Sequence, residues 1–136
     1  TVRPGADRAV LLEPATAHLH GSQLRVEEAH GHEYLAAWDK PSDWAAWTIK
    51  FPARATYEVN VTYSAAYRDT EFVVELAGRK LTATAHKTAD WYAYTTLKLG
   101  RVEIAGAGNL ELTVRPANAA KWSAMNIRSI KLTKVK

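Results

Sequence analysis

Cysteine is absent from this chain of 136 residues, which excludes disulfides and thiolate chemistry without deciding the compartment. Long apolar runs are also missing: none approaches the ~18 residues of a membrane-crossing helix, so a membrane is not an expected partner. No stretch sustains a helical period of apolar residues, and no internal repeat, low-complexity tract or linker interrupts the chain. Clustered charge of one sign is lacking too. The net charge of +4 comes from Lys and Arg scattered among Asp and Glu, with a mild basic excess at Lys131, Lys134 and Lys136. Without a basic cluster carrying interleaved aromatics, nucleic acid is not an expected partner either. Thr1 opens on neither a signal peptide nor a start methionine. The expectation is a mature or excised piece of a longer protein, folding as a single domain over residues 1–136 with chain enough for one core.

What the chain does have is alternation. Ala45, Trp47, Ile49 and Phe51 alternate with Trp44, Ala46, Thr48 and Lys50, the period of two of a half-buried strand. Ala55, Tyr57, Val59, Val61, Tyr63 and Ala65 then fall on one side, with Thr56, Glu58, Asn60, Thr62 and Ser64 on the other. Further runs begin at Val10, Leu24, Glu33, Phe72, Leu81, Tyr92, Arg101 and Leu110. In the last run Met125 and Ile127 are out of phase with Ile130 and Leu132, which predicts a bulge near Arg128-Ser129. About ten short strands at spacings near ten residues predict an all-β fold, an antiparallel β-sandwich or jelly roll.

Strand parity locates the candidate site. Successive antiparallel strands reverse, so alternate loops emerge at one end. Provided that the segment 92–104 is one strand bent at Gly100, four loops share a pole, with Trp38, Asp39 and Asp43 on the first, Tyr67 and Asp69 on the second, Asp90 and Trp91 on the third, and Asn118 and Trp122 on the fourth. The opposite pole carries Pro52-Ala53-Arg54, Ala77-Gly78-Arg79 and Gly106-Ala107-Gly108, with no aromatic. Trp91 is the most pointed case, because Thr88-Ala89-Asp90 delivers it on a turn. An indole left there forgoes the burial of roughly 150 to 250 Å² unless something comes to cover it. Rings beside Asp, Asn, Arg and Lys suit a sugar, whose C–H face stacks on an aromatic and whose hydroxyls take polar hydrogen bonds. The competing reading is that Trp38 and Trp122 fold inwards as lids. Trp47 is core by its phase; Trp44 faces the other way, as rim, inter-sheet packing or partner surface.

Catalytic alternatives find little support. His18-x-His20 and His30-x-His32 each place two imidazoles on one strand face, with Glu33 beside the second pair, but the spacing to the glutamate is too short for a cupin-like metal set and no later histidine completes it. No serine sits in a nucleophile elbow. Asp39, Asp43, Asp69 and Asp90 share a pole, but nothing in their setting raises one pKa as paired-carboxylate hydrolysis requires. The domain is not expected to be an enzyme.

Leu12-Glu13, Asp43-Trp44-Ala45-Ala46-Trp47, Tyr57-Glu58-Val59, Thr88-Ala89-Asp90-Trp91, the glycine turn before Leu110-Glu111-Leu112, and Asn126-Ile127-Arg128 follow one another in an order that resembles the galactose-binding-like jelly roll of carbohydrate-binding modules. Families 6 and 35 are nearest, with similar modules on bacterial fucosidases and other secreted glycoside hydrolases, over about residues 8 to 134. The resemblance implies a non-catalytic module that binds an oligo- or polysaccharide in a loop-end cleft. It matches Trp91 to a stacking aromatic, Tyr34 or Trp38 to a second, and Asn126 to a polar group opening the last strand. It implies a structural calcium held by an early glutamate, matching Glu13, although the aspartate of the final strand is Arg128 here, and an ion pair of Arg128 with Glu13 is the alternative. The expected carbohydrate-binding residues are therefore Trp38, Asp39, Tyr67, Asp90, Trp91, Trp122 and Asn126. The expected setting is secreted or periplasmic, on a parent glycoside hydrolase such as an α-L-fucosidase that the module targets to its substrate. The alternative is a structural or interaction sandwich whose aromatic pole packs against a neighbouring catalytic domain.

Overall fold

The alternating runs fold as strands because each can bury one face against the other sheet. The computed structural model describes residues 1–135. It contains β1 (Val10–Leu12), β2 (His18–His20), β3 (Arg25–Ala29), β4 (His32–Ala36), β5 (Trp44–Phe51), β6 (Ala55–Ser64), β7 (Thr70–Leu76), β8 (Arg79–Ala85), β9 (Thr95–Ile104), β10 (Gly108–Pro116) and β11 (Asn126–Lys134). One sheet runs β3-β4-β11-β6-β9, with β1 added beside β11; the other runs β2-β5-β10-β7-β8. Every strand pair is antiparallel. The protein is thus an all-β sandwich of the jelly-roll type.

Between the sheets lie Trp47, Ile49, Phe51, Tyr57, Val59, Val61, Phe72, Val74, Leu112, Val114, Ile130 and Leu132, all buried. The expected bulge appears as a register shift between Ile127 and Ser129 against β6. A second shift, opposite Val59 and Asn60, passes Gly100 at φ +145° without breaking β9, so residues 95–104 form one strand and the parity of the loops holds.

Two expectations are corrected. The run from Tyr92 enters β9 only at Thr95, because Asp90 closes a turn: its carboxylate accepts from Tyr92 N at 2.8 Å and its carbonyl from Ala93 N at 3.4 Å. His30 and His32 do not share a strand face. His30 (φ +55°) and Gly31 (φ +78°) form the two-residue reversal between Ala29 and His32, as a primed hairpin turn requires.

Residues 21–24, where the chain crosses from one sheet to the other, are organised by buried Asp43. Its carboxylate accepts from the backbone N–H groups of Ser22 (3.2 Å), Gln23 (3.0 Å) and Leu24 (2.9 Å). So close an approach needs a bare Cα at Gly21: a Cβ there would fall 1.9 Å from Asp43 Oδ1, at φ +126°. Gly21→Ala is therefore expected to destabilise the fold by about 2 to 3 kcal/mol. A thermal melt should show a midpoint lower by roughly 8 to 12 °C, and an unchanged midpoint would contradict this packing.

Candidate functional site

Trp91 is held by a loop that is itself tied down. Thr88 N donates to Ala65 O at 2.8 Å, and Thr88 Oγ1 returns the tie by accepting from Ala65 N at 3.0 Å. Lys87 N donates to Asp69 Oδ1 (2.7 Å), Tyr63 Oη to His86 O (3.2 Å) and Ser64 Oγ to Trp91 O (2.8 Å). These bonds lock residues 86–91 to the end of β6 and to its loop. The bond from Lys87 and the neighbouring His86 ring hold the Asp69 carboxyl below the ordinary carboxylate value.

So placed, Trp91 lines a cleft of 280 Å³ at the pole of the sandwich. That is just below the ~300 to 1,000 Å³ typical of ligand sites and suits one or two sugar rings. Arg25 and Glu27 of β3 and Tyr34 and Ala36 of β4 form one wall; Ala37 and Asp39 come from the next loop, Tyr67 and Tyr92 from the loops after β6 and β8, and Ala124 and Asn126 from the start of β11. Tyr67 stands edge-on to Trp91, centroids 4.9 Å apart at 84°, and is two-thirds exposed. Arg25 Nε meets Glu27 Oε2 at 2.6 Å, so the one guanidinium in the lining is already engaged by a carboxylate. Burial raises the pKa of the Tyr34 phenol, helped by neighbouring Tyr92 and Glu27, and keeps it a neutral donor at physiological pH.

The cleft brings together Asp39, Tyr67, Trp91 and Asn126 from the sequence-based set, with Tyr34, the second aromatic that the resemblance implied. Three others lie elsewhere. Trp38 is completely buried, with Nε1 donating to Asp43 O at 2.9 Å. Trp122 is 8 % exposed; its Nε1 donates to Trp38 O at 2.8 Å, and the two rings pack 5.0 Å apart. Both are inward lids, because each indole N–H finds a buried carbonyl and neither needs a ligand to cover it. Asp90 Oδ1 accepts from the Tyr92 N–H, and the residue lines no part of the cleft. Sequence reasoning passed over Arg25, Glu27 and Tyr92. The pairing of Glu27 with Tyr34 across the β3–β4 hairpin was the available signal.

The expectation at Glu13 also changes. Arg128 does not pair with Glu13; its Nη2 lies 2.8 Å from the His32 ring. Glu13 contributes its backbone carbonyl to Trp47 Nε1 at 2.9 Å, while its side chain is exposed. Among the described residues no group of three His, Asp or Glu side chains converges, so a cation near Glu13 would have to take most of its oxygens from backbone carbonyls. Trp44 resolves as a half-buried residue of the outer sheet surface, stacked on His20 at 3.8 Å and covered by Arg115 at 3.7 Å.

The model of the carbohydrate binding module family 6 matches residues 15–134. The chain belongs to that family. Among solved structures, this family 6 module is similar to the C-terminal CBM6 of LamC, a laminarinase of Zobellia galactanivorans, at 20 % identity and a TM-score of 0.72, over 93 % of this chain and 99 % of that one. It is similar also to CBM6cm-2 of lichenase 5A from Cellvibrio mixtus, solved with cellotriose, at 16 % identity and a TM-score of 0.70, over 93 % and 97 %. The GH26-CBM35 β-(1,4)-mannanase of Podospora anserina matches at 23 % identity and a TM-score of 0.77, over 96 % of this chain and only 28 % of the enzyme. No curated protein matches. At these identities the structural matches establish the fold of the family 6 module, and its family establishes a non-catalytic, carbohydrate-binding domain.

Proposed function

We propose that the cleft at Trp91 is where this module holds a glycan, and that it serves to keep an attached glycan-processing enzyme on its substrate outside the cytoplasm. The observation that carries the reading is the convergence of Trp91, Tyr34 and Tyr67 rings with the Asn126 amide and the Asp39 carboxylate around one small, open cleft. Rings supply stacking for the C–H face of a sugar; the amide and carboxylate take its hydroxyls. The cleft lining contains two carboxylates and one guanidinium, the latter paired to Glu27, which favours uncharged sugars over acidic ones.

One or two stacked rings and a few hydroxyl bonds correspond to roughly 4 to 8 kcal/mol, so a single site should bind with a Kd on the order of micromolar to millimolar. Tethering turns such weak binding into useful concentration on a polymer. Affinity electrophoresis through gels containing neutral β-glucan, mannan or xylan should retard the domain on at least one of them. Unretarded migration on every neutral and acidic polysaccharide would leave the module as an interaction sandwich packed on a neighbouring domain.

A further inference from the structure

Tyr94, the residue immediately before β9, touches the supports of all three principal groups of the cleft. Its ring tilts against Tyr34 at 6.4 Å, and its hydroxyl lies beside the side chains of Ser64 and Asn126, which are direct partners across β6 and β11. Ser64 in turn holds the carbonyl of Trp91. The Tyr94 hydroxyl oxygen is enclosed, yet among the described residues none meets it at hydrogen-bond geometry. An enclosed hydroxyl without a partner is costly to leave so, and contacts of this kind in a free site commonly tighten when the ligand arrives.

The direction of the bonds follows from chemistry. The Trp91 carbonyl can only accept, so the Ser64 proton is committed to it at 2.8 Å and Ser64 Oγ has only lone pairs left to offer. A bond between the two hydroxyls would therefore have Tyr94 donating to Ser64, which would leave the phenolic oxygen as an acceptor for the NH2 of the neighbouring Asn126. We propose that Tyr94 is a positioning residue: when a glycan seats, a relay Asn126 Nδ2 to Tyr94 Oη to Ser64 Oγ to Trp91 O closes and fixes Asn126 with Oδ1 towards the cleft, so that the amide reads a sugar hydroxyl as a hydrogen-bond donor. The relay also couples the amide to the backbone that carries the stacking indole. This inference rests on the glycan reading of the cleft.

Tyr94→Phe removes the hydroxyl and keeps the ring against Tyr34. Calorimetric titration would compare wild type, Tyr94→Phe and Ser64→Ala with cellotriose, laminaritriose and mannotriose, and then with monodeoxy and mono-O-methyl forms of whichever binds. For wild type, one deoxy or methylated position should weaken binding about 5- to 10-fold, the worth of one hydrogen bond. Tyr94→Phe should melt no lower than wild type, bind the parent sugar about 5- to 10-fold more weakly, and lose most of the discrimination at that position; Ser64→Ala should lose the same discrimination. Unchanged affinity in Tyr94→Phe, or an equal loss for parent and analogues, would overturn the relay while leaving the glycan reading intact. If wild type binds none of the trisaccharides and no polysaccharide retards it in the gel, the glycan reading of this cleft fails and the relay falls with it.

Discussion

Asp43→Asn is expected to destabilise the module by about 2 to 4 kcal/mol, the range for disrupting a buried, charge-assisted set of hydrogen bonds. Asp43 Oδ2 accepts two backbone N–H groups and Oδ1 a third, so whichever oxygen becomes NH2 sets a donor against a donor. The damage would reach the lids. Trp38 donates to the Asp43 carbonyl and Trp122 to the Trp38 carbonyl, so both indoles depend on where the 37–43 loop sits. Burial alone would push the Asp43 carboxyl up, but the N–H groups of Leu24, Gln23 and Ser22, with Lys40 nearby, outweigh it and hold the pKa below the ordinary carboxylate value.

A depressed pKa in the folded state means that the contribution is present above the unfolded value, ~3.9, and is lost as pH falls through the folded one. Urea melts should therefore show wild-type stability falling steeply below about pH 4, with the step shallower in Asp43→Asn. Equal acid sensitivity in both proteins would mean that another carboxylate controls the transition.

Trp91→Ala is the second large effect. It is expected to weaken glycan binding by at least 30-fold, since a stacked ring contributes up to ~1.5 kcal/mol beyond its buried area and the indole supplies much of the apolar surface of the cleft. The fold should survive. Trp91 is only half-buried, and the group that anchors the loop is its backbone carbonyl, which alanine keeps. A thermal midpoint within a few degrees of wild type, together with flat titrations, is the expected pair of results. Retained affinity would place the glycan elsewhere.

The strands were legible because alternation of period two is a direct record of burial: Tyr57, Val59, Val61 and Tyr63 face the core, and Thr56, Glu58, Asn60 and Thr62 do not. Gly100 and the slip at Arg128-Ser129 were readable as local irregularities, and parity then gathered loops that meet at one cleft. What strand phase does not report is the fate of an indole on a loop. Trp38 and Trp122 turn inwards because the carbonyls of Asp43 and Trp38 wait there, and the second of these ties spans 84 positions. Asp90 stands outside the cleft for a local reason. An aspartate two residues before a free N–H makes an Asx turn, and that spacing was present in the sequence. Arg25 and Glu27 look like any polar strand positions until the hairpin with β4 sets them beside Tyr34.

The five tryptophans offer the most direct test of the cleft. In a 15N–1H correlation spectrum, glycan added to the assigned domain should move the indole signal of Trp91, while those of Trp38, Trp47 and Trp122, bonded to Asp43 O, Glu13 O and Trp38 O, stay in place. A titration that moves Trp44 alone, or leaves all five still under saturating glycan, would contradict the assignment of binding to this pole.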